Sequence, residues 1–181
     1  LISKGPDYEK NKKKVLDKIT SIDSAFITTS PDVLKFKVNK KKVHYLPIPV
    51  DSSIESLKIF EKTDYKNDVF FAMSHGVNRG VLKSGKTDDR EIFLNKLVQK
   101  NPNIVFDFYG LKGKQPVWAN DFFNILPKSK MALNLSRGSP IKYYSSNRIA
   151  SLIGNGIFTL IDKKTQLNDF FNKDELILYN N

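Results

Sequence analysis

The chain has 181 residues, 40% of them hydrophobic and 27% charged, with no cysteine and a formal net charge of +11 at pH 7. That length suffices for one good core, or for one domain plus part of another, and the composition is ordinary for a globular protein. It excludes disulfides and thiolate metal sites, and the longest apolar runs, such as residues 157–161, fall far short of the roughly 20 residues of a membrane span.

In chain order, residues 7–22 place Val15, Leu16, Ile19 and Ile22 at helical spacing, which predicts a helix with one narrow apolar stripe. Residues 24–29 form a short β-branched run and read as a buried strand. Ser30 before Pro31, with Asp32 next, is a helix start, and a short helix is expected to end near Lys37. Residues 43–46 read as a second strand, with His44 packed or satisfied locally inside it. Pro47 and Pro49 then fix a stiff, extended crossover. The polar stretch 52–67 carries a weak helix signal near residues 54–60, and a domain boundary is expected near Ser52, dividing the chain into 1–52 and 53–181.

Beyond the boundary, strand and helix signals alternate. Residues 68–73 are nearly all apolar, the pattern of a parallel strand covered on both faces. A basic, Gly-containing loop covers residues 74–86, and a helix opens at residues 87–90 and runs through Asn101. Strands follow at 104–109, 131–135, 157–161 and 175–179, separated by helices at 120–126, 146–154 and 165–171. Such alternation with short loops implies right-handed βαβ units: an α/β fold with a parallel sheet flanked by helices.

In such a sheet, ligands bind in the loops after the strands. In the loop 74–83, Gly76 and Gly80 permit close backbone approach, and Arg79 and Lys83 can pair with phosphate oxygens. A solvated basic loop explains the same residues. His75 in that loop is either a ligand contact or a bystander. Gly110, at the end of the next strand, reads as an ordinary turn. Residues 136–148 are the most informative. Ser145 or Ser146 can cap the following helix, whose free N–H groups form an anion site. Arg148 stands in the first turn, where a cation opposes the helix dipole, so it calls for an acidic side chain or a ligand phosphate as partner. Neither histidine spacing nor an acidic cluster points to a metal site.

Residues 143–162, with Arg148 ahead of a helix that ends in Gly154-Asn155-Gly156 and a strand to Ile161, resemble the donor-site segment of family-1-type glycosyltransferases of the GT-B fold, the spore-maturation-type group in particular. Residues 24–49 resemble the last β-α-β piece of that family's N-terminal, acceptor-side domain, and residues 47–51 its interdomain linker. The resemblance implies that 1–52 is a remnant of that domain and that 53–181 is the C-terminal, Rossmann-like donor-binding domain, lacking the family's terminal helices. With Leu1 in place of a Met, the sequence reads as a fragment.

The function so implied is transfer of a sugar, hexosyltransferase-like, from a nucleoside-diphosphate sugar to an acceptor hydroxyl in polysaccharide or glycoconjugate biosynthesis. The fragment is expected to be inactive alone. Gly76, Arg79, Lys83, Ser145, Ser146, Asn147, Arg148 and Ser151 are the implied donor and phosphate contacts. Ser151 stands where many members carry a Glu that holds the donor ribose, so a hydroxyl replaces a charge there. The resemblance assigns no catalytic residue, metal or cofactor besides the nucleotide-sugar co-substrate. It leaves open a glycan, lipid-linked or protein acceptor and contact with a membrane surface, in a cytoplasmic setting. The alternative that the +11 charge supports is a non-catalytic, basic Rossmann-like module that binds nucleic acid or another polyanion.

Overall fold

The computed structural model describes residues 7–74 and 88–180. Helix α1 (Tyr8–Thr20) leads into a two-stranded parallel sheet made of β1 (Ala25–Ile27) and β2 (Val43–Tyr45). The larger sheet is parallel throughout and has the order β4-β3-β5-β6-β7: β3 (Asn67–Ala72), β4 (Phe106–Tyr109), β5 (Ser129–Asn134), β6 (Phe158–Asp162) and β7 (Ile177–Tyr179). Between these strands lie α2 (Asp89–Lys100), α3 (Ala119–Ile125) and α4 (Asn147–Gly154). The expected α/β architecture is therefore present, with β3 and β5 at the centre.

Alternation along β3 sorts its side chains onto two cores. Val69, Phe71 and Met73 face one way, with Leu133 and Leu135 after them, and pack under Leu94, Leu97 and Val98 of α2. Phe70 faces the other way and meets Leu126, Leu152 and Ile157, with Ile59 from the linker region. Both faces of the central strands are covered, which is why residues 68–73 read as a continuous apolar run. No helix among the described residues is long and apolar enough to cross a membrane.

Three expected helices are only 3-10 turns. The segment after Ser30 winds for Pro31–Val33 and then turns extended at Leu34 (φ −67°, ψ 121°). Lys58 (φ 45°) and Gln166 (φ 53°) sit in the left-handed region, where a side chain is disfavoured. The first confines the turn near residue 60 to Ile59–Glu61, and the second splits the last predicted helix into Lys163–Thr165 and Leu167–Phe170. The strand expected at 104–109 starts only at Phe106, because Ile104 still closes a turn onto Asn101. The first strand is not buried: Phe26 is exposed, and His44 stands exposed beside it across the pair, ring centroids 5.5 Å apart, rather than packed inside.

The two sheets are joined along the loop that precedes α4. The Ser30 N–H donates to Lys142 O (3.0 Å) and the Ser145 N–H to Thr28 O (2.8 Å). At the other end of α4, Asn155 accepts twice from the segment between β2 and β3: Leu57 N–H donates to its side-chain oxygen (3.2 Å) and Ile59 N–H to its carbonyl (2.9 Å).

Candidate functional site

The chain leaves β3 toward β4 on one side, and β5 continues toward β6 on the other. The order of strands thus reverses between β3 and β5, and a crevice opens outside their carboxyl ends. A cleft of about 370 Å³ lies there. Met73 and Ser74 form its floor, Val117, Trp118 and Phe122 one wall, and Asn147, Arg148 and Ser151 of α4 the other.

Gly110 shapes the floor. It has φ +79°, and a Cβ on it would fall 1.8 Å from the Met73 carbonyl oxygen. Only glycine lets the exit of β4 lie this close to the end of β3. The aromatic wall rises from the start of α3, where Trp118 is extended (φ −142°, ψ 157°) and Ala119 left-handed (φ 46°). Phe122 anchors that wall edge-on against Phe70, with centroids 5.7 Å apart. Trp118 itself is half exposed.

Opposite, Ser146 is the N-cap of α4, and its hydroxyl accepts the Ile149 N–H at 3.4 Å. Arg148, two residues further on in the first turn, reaches over the sheet. Its Nη1 donates to Leu135 O at 2.6 Å, and its guanidinium carbon lies 5.1 Å from the centre of the Phe71 ring. One side chain thereby ties the ends of β3 and β5 together. Burial, and after it the like charge of Arg90, push its pKa down to about 10, so it stays protonated at neutral pH. No carboxylate among the described residues pairs with it.

A second cationic group sits beside it. Asp88 caps α2 and accepts from the Arg90 N–H (3.0 Å) and in fork geometry from its Nε and Nη2, each at 2.9 Å. Both side chains are buried. Arg137, just past β5, brings its Nε to 3.7 Å from the same carboxylate. The Arg90 hydrogen bonds hold the Asp88 carboxyl at about 2, against the opposing effect of burial. Three guanidinium groups thus gather around the end of β5, two of them on the Asp88 carboxylate.

Of the residues expected at a donor site, Asn147, Arg148 and Ser151 come together at the cleft. Ser146 caps the helix behind them. Ser145 does not open onto the cleft: it is buried, and its hydroxyl accepts the Ile48 N–H of the linker at 3.0 Å. Gly76, Arg79 and Lys83, with His75, lie outside the described residues.

The matched family now has a geometry to be set against. A family model described as "Glycosyl transferase-like" matches residues 88–181, just over half of the chain. The chain belongs to that family. No curated protein and no solved structure matches it. The glycosyl transferase-like region begins at Asp88, the cap of α2, and takes in both walls of the cleft and all three arginines; β3, which supplies the floor, precedes it.

Trp118 and the Asp88–Arg90 pair were not foreseen. Trp118 is the single tryptophan of the chain and stands in no motif, so only folding reveals that it faces α4 across a cleft. Asp88 and Arg90 are two apart, a spacing at which helical side chains do not meet. They meet because Asp88 is the extended cap (φ −115°, ψ 138°), outside the helix, and can turn back onto the first turn.

Proposed function

We propose that this chain transfers a sugar from a nucleoside-diphosphate sugar to an acceptor hydroxyl, with the donor diphosphate seated between the end of β3 and the N-terminus of α4. The observation that carries the reading is Arg148. A guanidinium fixed at the switch point by Leu135 O and the Phe71 ring, depressed in pKa and without a carboxylate partner among the described residues, is held where its charge is unfavourable. A dianionic ligand in the cleft removes that cost.

In the reaction the acceptor oxygen bonds to the anomeric carbon and its proton passes to a base or to water, the bond from that carbon to the diphosphate breaks, and the departing diphosphate gains charge. Arg148, held in place by Leu135 O, and the first-turn N–H groups of α4 border the cleft, which supports stabilisation of that charge with little reorganisation. Asn147 and Ser151 offer neutral hydrogen-bonding groups to the donor's hydroxyls, and the Val117–Trp118–Phe122 wall gives its flat or apolar part a surface. Arg79 and Lys83 belong to the same proposal as further cations from the loop after β3.

Calorimetric titration of the chain with UDP, GDP, ADP and dTDP tests this. Saturable binding of one diphosphate in preference to the others, weakened about tenfold or more but still measurable in Arg148→Ala, is the expected result. The +11 charge supports a second reading, a polyanion-binding module. Binding of duplex DNA or heparin that collapses as salt rises, with no nucleoside diphosphate bound, would favour it and overturn the first.

A further inference from the structure

The loop 141–146 leads straight into α4, and the main chain of the small sheet grips it on one side. Lys142 O accepts the Ser30 N–H at 3.0 Å, and the Ser145 N–H donates to Thr28 O at 2.8 Å, just past the end of β1. From the far side of β2, the Ile48 N–H donates to the Ser145 hydroxyl at 3.0 Å. Ser145 is thus bonded to the segments that follow both strands. On the other side, Tyr143 N–H donates to Thr165 O at 2.7 Å, and the Tyr143 hydroxyl donates to Asp169 at 2.8 Å. Tyr143 is left-handed (φ 60°), a conformation a tyrosine keeps only when its surroundings impose it. Its ring packs edge-on against Phe170 at 4.8 Å and beside Tyr45 of β2 at 5.4 Å.

The geometry points to Ser145 as a positioning residue of the donor site: through it, the β1–β2 pair sets where α4 begins and hence where the Arg148 guanidinium stands. Ser146, the cap, is its neighbour, and Arg148 follows three residues after it, so the chain between clamp and cation is too short to absorb a shift of the clamp. Because Thr28 directly follows β1 and Ile48 lies three residues past β2, a displacement of the small sheet is transmitted to the diphosphate contact without any of its side chains touching the ligand. The inference rests on the cleft being the donor site, and it assigns the small sheet a part in donor binding that proximity alone does not give it.

A double-mutant cycle tests it, with the preferred diphosphate of the titration above as the probe and the full chain as the protein. Ser145→Ala removes the acceptor for Ile48 and is expected to weaken diphosphate binding about five- to tenfold. Ser145→Thr, which keeps the oxygen, is expected to stay within about twofold of the unaltered chain. In an Arg148→Ala background, Ser145→Ala should have no further effect, because its influence runs through Arg148. Equal binding by Ser145→Ala and the unaltered chain overturns the inference while leaving the donor reading intact. So does an effect that simply adds to that of Arg148→Ala. An unaltered chain that binds none of the diphosphates overturns the donor reading and this inference with it. Should Ser145→Ala not fold, Ser145→Cys, nearly isosteric and a weak acceptor, replaces it in the same cycle with the same expectations.

Discussion

The two sheets of this chain are built by opposite means. In the five-stranded sheet, Phe70 and Phe71 are 1% and 0% exposed, and the side chains of Val69, Phe70 and Phe71 enter cores on alternate faces. In the two-stranded sheet only one face is turned inward, with Val43 4% exposed, and the other is open, with Phe26 63% exposed. An isolated pair of strands is at best marginal in water. What holds this one is main-chain hydrogen bonding to the loop before α4 and the Tyr45–Tyr143–Phe170 cluster. The large sheet is a scaffold that carries its own stability, whereas the small one is attached at the point where the scaffold's charged site begins.

The difference is sharpest where packing is removed. Phe71→Ala is expected to destabilise the chain by about 3–5 kcal/mol, read as a lower midpoint of urea unfolding, because a buried aromatic leaves a cavity between β3 and α2. It also takes the ring from under Arg148, so any folded remainder should bind diphosphate poorly.

Asp88→Ala comes next, at about 3 kcal/mol, since it leaves the buried Arg90 without its counter-charge. Acid titration of the unaltered chain reads the same pair. With Asp88 held at about 2 when folded, against an ordinary carboxyl value of 3.8, its contribution is complete above pH 3.8 and disappears as the pH falls toward 2. Unfolding curves for Asp88→Asn should lack that part of the acid dependence.

Arg148→Ala is expected to separate site from scaffold. Diphosphate binding should weaken by about tenfold or more, equivalent to about 1.4 kcal/mol, while stability falls by only about 1–2 kcal/mol with the lost Leu135 hydrogen bond, read as a small drop in the urea midpoint. A large loss of stability in its place would make Arg148 a structural strut. The smallest effect is expected for Phe26→Ala, within about 0.5 kcal/mol, because this residue is mostly exposed among the described residues, with the His44 ring beside it. A loss of several kcal/mol there would show that something outside the described residues covers the small sheet.

Much of the scaffold could be read from residue order. Near-continuous apolar runs at 68–73 and 131–135, separated by a helical pattern, require a parallel sheet covered on both faces, and parallel strands require helical crossovers. Those periodicities are local consequences of burial and survive in the sequence. Helices at 31–37, 54–60 and 165–171 were misjudged because a single left-handed or extended residue ends a helix, and propensity does not register where the chain has to turn.

The site was legible in part. Asn147, Arg148 and Ser151 could be placed at a helix start after a strand, since caps and charges at helix ends are local features. That Ser145 turns away to hold Ile48, 97 residues back, that Asp88 folds onto Arg90, and that Trp118 faces α4 were decided only by the tertiary structure. The sequence by itself determined which segments become strands and helices and which helix end carries an uncompensated cation. Which groups that cation meets, and which hydroxyls remain free for a ligand, depended on contacts between segments far apart in the chain, and such contacts leave no spacing to be read.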